Sequence, residues 1–167
     1  MRFGKVFYAI ILFLCIFDTG RLWKISPDLM AAHFNAQGSP DRFVPRADFF
    51  AFQIKTLLVM IVVSLAMQLL FFIIPIRIIN MPNRKYWLAP DRRDNTLDRL
   101  SSFAALVFGM ILLMIQTAFE ISVYANLQTP VFFNAQLMAL VVLVSILVIG
   151  LALALLVRSF RDIPEQK

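Results

Sequence analysis

Thr56-Leu-Leu-Val-Met-Ile-Val-Val-Ser-Leu-Ala-Met-Gln-Leu-Leu-Phe-Phe-Ile-Ile-Pro-Ile76 carries no charge over 21 residues. A helix rises about 1.5 Å per residue, so a run of this length matches the ~30 Å hydrocarbon core of a bilayer. Inside that core every backbone N–H and C=O must be satisfied within the chain, which a single segment achieves only as a helix. Two further runs read the same way: Leu100–Phe119, and the continuous apolar part Leu137–Val157 of the uncharged stretch Ile121–Val157.

Composition agrees. Of the 167 residues, 60% are hydrophobic and 16% charged, with a mean hydropathy of +0.80. Soluble domains lie nearer to about 45–50% apolar and about 25% charged. That difference excludes an ordinary soluble globule, a disordered chain and a basic nucleic-acid binder, so no nucleic-acid partner is expected. The lone Cys15 has no cysteine to pair with, and no Cys/His cluster offers a zinc site. The 8 Met and 17 Phe are scattered through the apolar runs, as lipid-facing and packing surface would be.

The first apolar stretch, Val6–Phe17, is shorter and begins like a secretory signal peptide. Asp18-Thr-Gly-Arg-Leu-Trp follows it without a small-x-small cleavage site. A retained helix over about 3–23 is the better reading, with Lys5 snorkelling inward and Asp18 pairing Arg21 on one face. The fold class is therefore all-α. One polytopic membrane domain spans 1–167, with four transmembrane helices over about 3–23, 54–79, 100–122 and 136–158.

Cations set the threading. Arg2, Lys5, Arg77, Arg84, Lys85, Arg92, Arg93, Arg99, Arg158, Arg161 and Lys167 fall on one side, eleven in all. Arg21, Lys24, Arg42, Arg46 and Lys55 fall on the other, five. The richer side is cytoplasmic. Both termini and the elbow at 80–99 then face inward, and the loop at 25–45 faces outward from a bacterial inner membrane.

The outer loop reads Ser26-Pro-Asp-Leu-Met-Ala-Ala-His-Phe-Asn-Ala-Gln-Gly-Ser-Pro-Asp-Arg-Phe43. Ser26 as cap and Pro27 at the first helical position predict a short helix that ends at Gly38. The phenylalanines of 34–52 keep the loop on the membrane or the bundle top. His33, Asn35, Gln37 and Asp41 remain as polar candidates. His33 could titrate, hold a metal with Asp41 or Asp28, or bond a ligand; the plain alternative is a histidine that ties the turn together. One histidine among scattered carboxylates predicts no metal and no cofactor. No second group is spaced for acid–base or nucleophilic work, so no catalytic residue is expected.

The block Pro27, His33-Phe34-Asn35, Gly38, Pro40-Asp41 resembles a bacterial membrane family built around a domain of unknown function and related to the immunity protein of a sporulation-delaying toxin. A second block, Asn80-Met-Pro-Asn-Arg-Lys-Tyr-Trp-Leu-Ala-Pro-Asp-Arg-Arg-Asp-Asn-Thr-Leu97, is similar to the pattern of a four-helix branch of that family. The chain departs from the family at Ser26 and Arg42, where Leu and Gly are usual. The resemblance implies a multispanning bacterial membrane protein of immunity or signalling type. It places His33, Phe34, Asn35, Gly38 and Asp41 in an outer recognition loop.

The inner block also has its own physical logic. Pro82 ends the second helix, Tyr86 and Trp87 are rings suited to headgroup depth, and Pro90 starts the next helix. Arg92 and Arg93, with Arg99, can reach anionic phospholipid headgroups at about 1 kcal/mol each. Asn83, Tyr86, Trp87, Arg92 and Arg93 thus form an interfacial elbow; the alternative is a docking site for a cytoplasmic partner.

Within the spans, Gln68 and Gln116 are expected to bond across helices, and Glu120 to pair with Arg21 or Lys55 at the outer rim. Pro75 should kink the second helix. Gly150 and Ala154 suit close packing, within the bundle or in a homodimer. No buried acid–base relay or matched pair of broken helices supports transport. These readings give a non-enzymatic membrane protein whose outer loop recognises a peptide, a lipid or a membrane-protein partner. The alternatives are an accessory subunit of a larger membrane complex and, further off, a small exporter.

Overall fold

A computed structural model describes residues 3–163; Arg2 and Lys167, two of the eleven cations above, lie outside the described residues. The elements run α1 (Phe3–Ile25), β1 (Leu29–Phe34), β2 (Pro40–Pro45), α2 (Arg46–Ile73), a 3-10 turn (Ile76–Ile78), α3 (Arg84–Trp87), α4 (Arg93–Asn126) and α5 (Ala135–Arg161). Helices α1, α2, α4 and α5 are each long and apolar enough to cross a bilayer. At 34 residues, α4 is the longest; its length of about 50 Å exceeds a ~30 Å core, so one end must project.

Helix α4 is the axis of the bundle. It packs against α1, α2 and α5, whereas α1 and α2 touch each other little. One core layer joins Tyr8, Ile11 and Cys15 of α1 to Leu57 of α2 and Ala105 and Leu112 of α4. A second, at the hairpin end, joins Leu22, Met30, Phe50, Phe119 and Val123. The α1–α4 contact is close because of Gly4. A Cβ there would run into the Ser102 carbonyl, and the Gly4 N–H donates to Ser102 Oγ at 3.2 Å.

Two ion pairs brace α1, and the one within the helix is the expected one. Lys5 Nζ turns back to Asp98 Oδ1 at 2.7 Å, tying α1 to α4 at the elbow end. Arg21 and Asp18 pair at 2.6 Å on one face of α1.

The loop after α1 is a correction. It is not a helix but an antiparallel hairpin, with Met30 opposite Val44, Ala31 opposite Phe43, and an irregularity between Ala31 and His33. The fold is mostly helical, as expected, and carries one two-stranded hairpin in place of the short loop helix. Ser26 does not open a new helix. Its hydroxyl and its N–H both donate back to the Leu22 carbonyl, at 2.8 Å and 3.1 Å, which closes α1. Arg46 then holds the exit open: its guanidinium donates to the Ser26 carbonyl at 2.8 Å and pairs with Asp28 at 2.9 Å.

Proline corrects the second helix as well. α2 does not continue with a kink; it stops at Ile73, and Ile74 is extended with ψ 134°, the conformation a following proline enforces. At its other end α2 begins at Arg46, two turns earlier than the hydropathy indicates, because Phe50 and Gln53 there are buried in the bundle. Pro90 likewise lies in the turn ahead of α4, whose first residue is Arg93.

Helix α5 packs on α4 through a single half-buried stripe. Phe160 is its only buried residue among those described. Asn134 caps it by accepting from the Leu137 N–H at 2.9 Å, and Arg158 and Arg161 occupy its last turn, where cations oppose the helix dipole favourably.

Candidate functional site

The hairpin is built from its turn outward. Asn35 Oδ1 accepts from the N–H groups of Gln37 and Ser39, both at 3.0 Å. This side-chain mimicry of a backbone turn is the reason asparagine suits such a position. Gly38 follows with φ 81°, a left-handed conformation that glycine adopts without penalty. Gly38 is also packed against the Phe133 carbonyl and the Phe132 ring, and its own carbonyl accepts from the Phe133 N–H at 2.9 Å. Phe34 stacks on Phe133 with ring centroids 5.0 Å apart. The turn therefore docks on the segment that leads into α5.

The base of the hairpin is fastened to α4. Asn126 Oδ1 accepts from the Ala31 N–H at 2.6 Å, and Asn126 Nδ2 donates to the Ala31 carbonyl at 3.1 Å. Met30 and Ala31 are fully buried beneath. Trp23 crosses Phe50 edge-on at 5.1 Å, and the Arg46 guanidinium lies 4.8 Å from the centroid of the Trp23 ring.

Of the five residues singled out in this loop, three therefore have structural work within the protein. Asn35 shapes the turn, Gly38 lets it approach α5, and Phe34 stacks beneath it. The remaining two, His33 and Asp41, lie across the strands from each other on the outer surface. His33 Nδ1 is 2.6 Å from Asp41 Oδ1, and their side chains are 67% and 43% exposed.

Behind the hairpin runs a polar chain through the helices. Gln116 of α4 donates from Nε2 to Asp18 Oδ2 at 2.7 Å and accepts from Gln53 Nε2 at 2.9 Å. Arg21 extends it to the Tyr124 hydroxyl at 3.1 Å. Gln116 thus bonds across helices as expected. Gln68 does not: its Nε2 donates to Ser64 Oγ, one turn back on its own helix, at 3.1 Å. Glu120 forms no ion pair with Arg21 or Lys55; Arg21 takes Asp18 and Tyr124 instead.

At the opposite end the elbow serves α5. Trp87 Nε1 donates to the Phe160 carbonyl at 2.9 Å, and Asn83 Nδ2 donates to the Arg161 carbonyl at 2.6 Å. These are terminal carbonyls with no partner inside the helix. Arg92 lies 4.3 Å from the centroid of the Tyr86 ring, and Arg99 lies 4.6 Å from that of Phe160. Arg93 Nε is buried without a partner. Arg84 and Lys85 are exposed and border a cavity of about 720 Å³ with Asn83 and Tyr86. So Asn83 and Trp87 clamp the last helix, while the exposed Arg84 and Lys85 stand beside them.

Asn126, Arg46 and Gln53 were not among the sequence candidates. Asn126 and Gln53 carry a usable signal, since each is a carboxamide within or beside an apolar run. Arg46 reads only as one more cation until the carbonyls of Trp23 and Ser26 and the carboxylate of Asp28 are seen around it. None of the family models, curated proteins or solved structures compared with this chain matches it.

Proposed function

We propose that this is a non-enzymatic integral protein of the bacterial inner membrane, with both termini cytoplasmic, that recognises a partner through the outward face of its hairpin. The observation that carries this reading is a contrast within one small element. The hairpin is fixed by the Asn126 clasp, the Arg46 ties and the Gly38–Phe133 contact, yet it leaves the His33–Asp41 pair exposed. A rigid mount under an exposed polar pair is a preorganised binding surface, which loses little entropy on association. The distribution of cations supports the outward orientation, and the resemblance to the immunity-type family favours a peptide or membrane-protein ligand. On the cytoplasmic side, Arg84, Lys85 and Arg92 contribute contacts to anionic headgroups.

The test has two stages. A cysteine at Gln37 in a Cys15→Ala background should react with a membrane-impermeant maleimide in intact cells; reaction only after permeabilisation reverses the threading. A photo-reactive residue at Gln37 should then give one adduct that disappears in His33→Ala and Asp41→Asn at unchanged protein abundance. An adduct indifferent to both substitutions overturns the recognition surface.

The accessory-subunit reading is favoured by one observation: along the membrane-crossing part of α5 no residue is buried, and nothing lies near Gly150. Native mass measurement after gentle extraction decides it. A defined complex with other chains supports it, and a lone chain or homodimer opposes it.

A further inference from the structure

Beneath the hairpin, on its membrane side, lies a cavity of about 650 Å³ that the recognition surface above does not use. The volume lies within the roughly 300–1,000 Å³ typical of small-ligand sites. Its roof is the hairpin (Ala32, Arg42, Val44), its floor is α4, one wall is α2, and Val142 of α5 closes part of the other. Because α2 and α5 each pack on α4 and hardly on each other, the cavity opens sideways between α2 and α5.

The lining changes character with depth. At the hairpin end stand Arg42, Asp48 and Ser122; deeper along α4 come Phe119, Ala118, Ile115 and Met114. Positions 122, 119, 118 and 115 are three or four apart and share one helical face. A polar mouth above an apolar shaft that opens laterally has the polarity profile of a lipid, not of a soluble metabolite.

The charges narrow the headgroup. Around the hairpin, Asp28 pairs with Arg46 and Asp41 with His33. Arg42 and Asp48 have no side-chain partner among the described residues, and they do not pair with each other although both line the mouth. One turn further in, Gln53 is buried and gives its Nε2 to Gln116, which leaves its Oε1 without a hydrogen bond among the described residues. The hairpin side of the mouth therefore offers a cation, and the α2 side offers two acceptors, Asp48 and Gln53.

The geometry points to a site for one zwitterionic phospholipid of the leaflet on the hairpin side. Its phosphate lies against Arg42, its primary ammonium against Asp48 and Gln53, and an acyl chain runs down the α4 face between α2 and α5. The site depends on the four helices spanning a bilayer and not on which partner, if any, the outer face of the hairpin recognises. It holds for either threading of the chain.

The experiment uses the full chain in detergent, titrated with phosphatidylethanolamine, phosphatidylcholine or phosphatidylglycerol and read by native mass spectrometry. One phosphatidylethanolamine should stay bound at collision energies that strip the other two. Arg42→Gln should lower its retention at least fivefold. Asp48→Asn should abolish the preference for it over phosphatidylglycerol, and Ala118→Phe should block the shaft and remove it. A second readout is independent of these variants' folding. A phosphatidylethanolamine with a photo-reactive acyl chain, in vesicles with the wild-type protein, should label the α4 segment around Ile115 and Ala118 more than the open face of α5 at Leu147 and Leu151. Equal retention of all three lipids, or equal labelling of α4 and α5, overturns the proposal.

Discussion

Asn126 reads the backbone of Ala31 from both sides, accepting from its N–H at 2.6 Å and donating to its carbonyl at 3.1 Å. A β-strand normally presents those two groups to another strand. Here a helix side chain takes that place, and the edge of the hairpin is joined to the bundle by one carboxamide. Both partners are buried, so the pairing is costly to lose.

Asn126→Leu keeps the volume and deletes both bonds. Each buried group left unsatisfied costs about 1–3 kcal/mol. The expected result is a lower melting temperature in detergent and faster amide exchange over 29–45, with the α1–α4 contact unaffected. Unchanged exchange in the hairpin would show that the clasp does not hold it.

Asn35 and His33 should separate cleanly. Asn35→Ala removes the acceptor of two turn N–H groups, and reduced abundance with a protease-sensitive loop is the expected outcome. His33→Ala alters an exposed side chain and should move stability by no more than about 0.5 kcal/mol. The reading of the sequence alone treats the two as equivalent recognition residues; equal stability effects would restore that view.

Gln53 and Gln116 provide a measurable coupling. They bond at 2.9 Å inside the bundle, and interhelical bonds of this kind average about 0.6 kcal/mol with a maximum near 1.7 in membrane proteins. A double-mutant cycle with Gln53→Leu and Gln116→Leu should fall in that range. Gln116→Leu alone should be the worse single change, because it also strips Asp18 of a donor at 2.7 Å. Equal single effects would remove Asp18 from the network.

Trp87→Phe retains a ring beside Phe160 but deletes the indole N–H that donates at 2.9 Å. A loss of about 1 kcal/mol is expected from one hydrogen bond, and proteolysis after α5 should become faster. Combining it with Asn83→Ala should release the end of α5 further. A double variant as protease-resistant as the wild type would mean that lipid, not the elbow, anchors that helix.

The sequence makes local facts easy to read and distant ones hard. Uncharged runs identify the four long helices, because bilayer thickness imposes a length on each. Asp18 and Arg21 are legible as a pair because three residues on a helix return to the same face. The hairpin is hidden for the opposite reason. Ser26-Pro27 carries the local signature of a helix start, and what overrides it is Arg46, twenty residues away, together with Asn126, another eighty beyond. Pro75 misleads by degree: a proline inside a packed helix bends it, but at a helix end with few contacts it stops it. In the hairpin, residue type identified polar side chains, yet only the paired strands show that His33 and Asp41 are exposed while Asn35 spends its oxygen on the turn.

Helix α5 is held just ahead of its first residue by Phe133 on Gly38 and at its last residues by Trp87 and Asn83 on Phe160 and Arg161. Those fixtures make the 27-residue helix a ruler of about 40 Å between hairpin and elbow. One residue inserted near Gly150 would turn everything beyond it by about 100°, so that one fixture could engage only if the other let go. Length, more than the identity of its leucines and valines, is what this helix has to conserve.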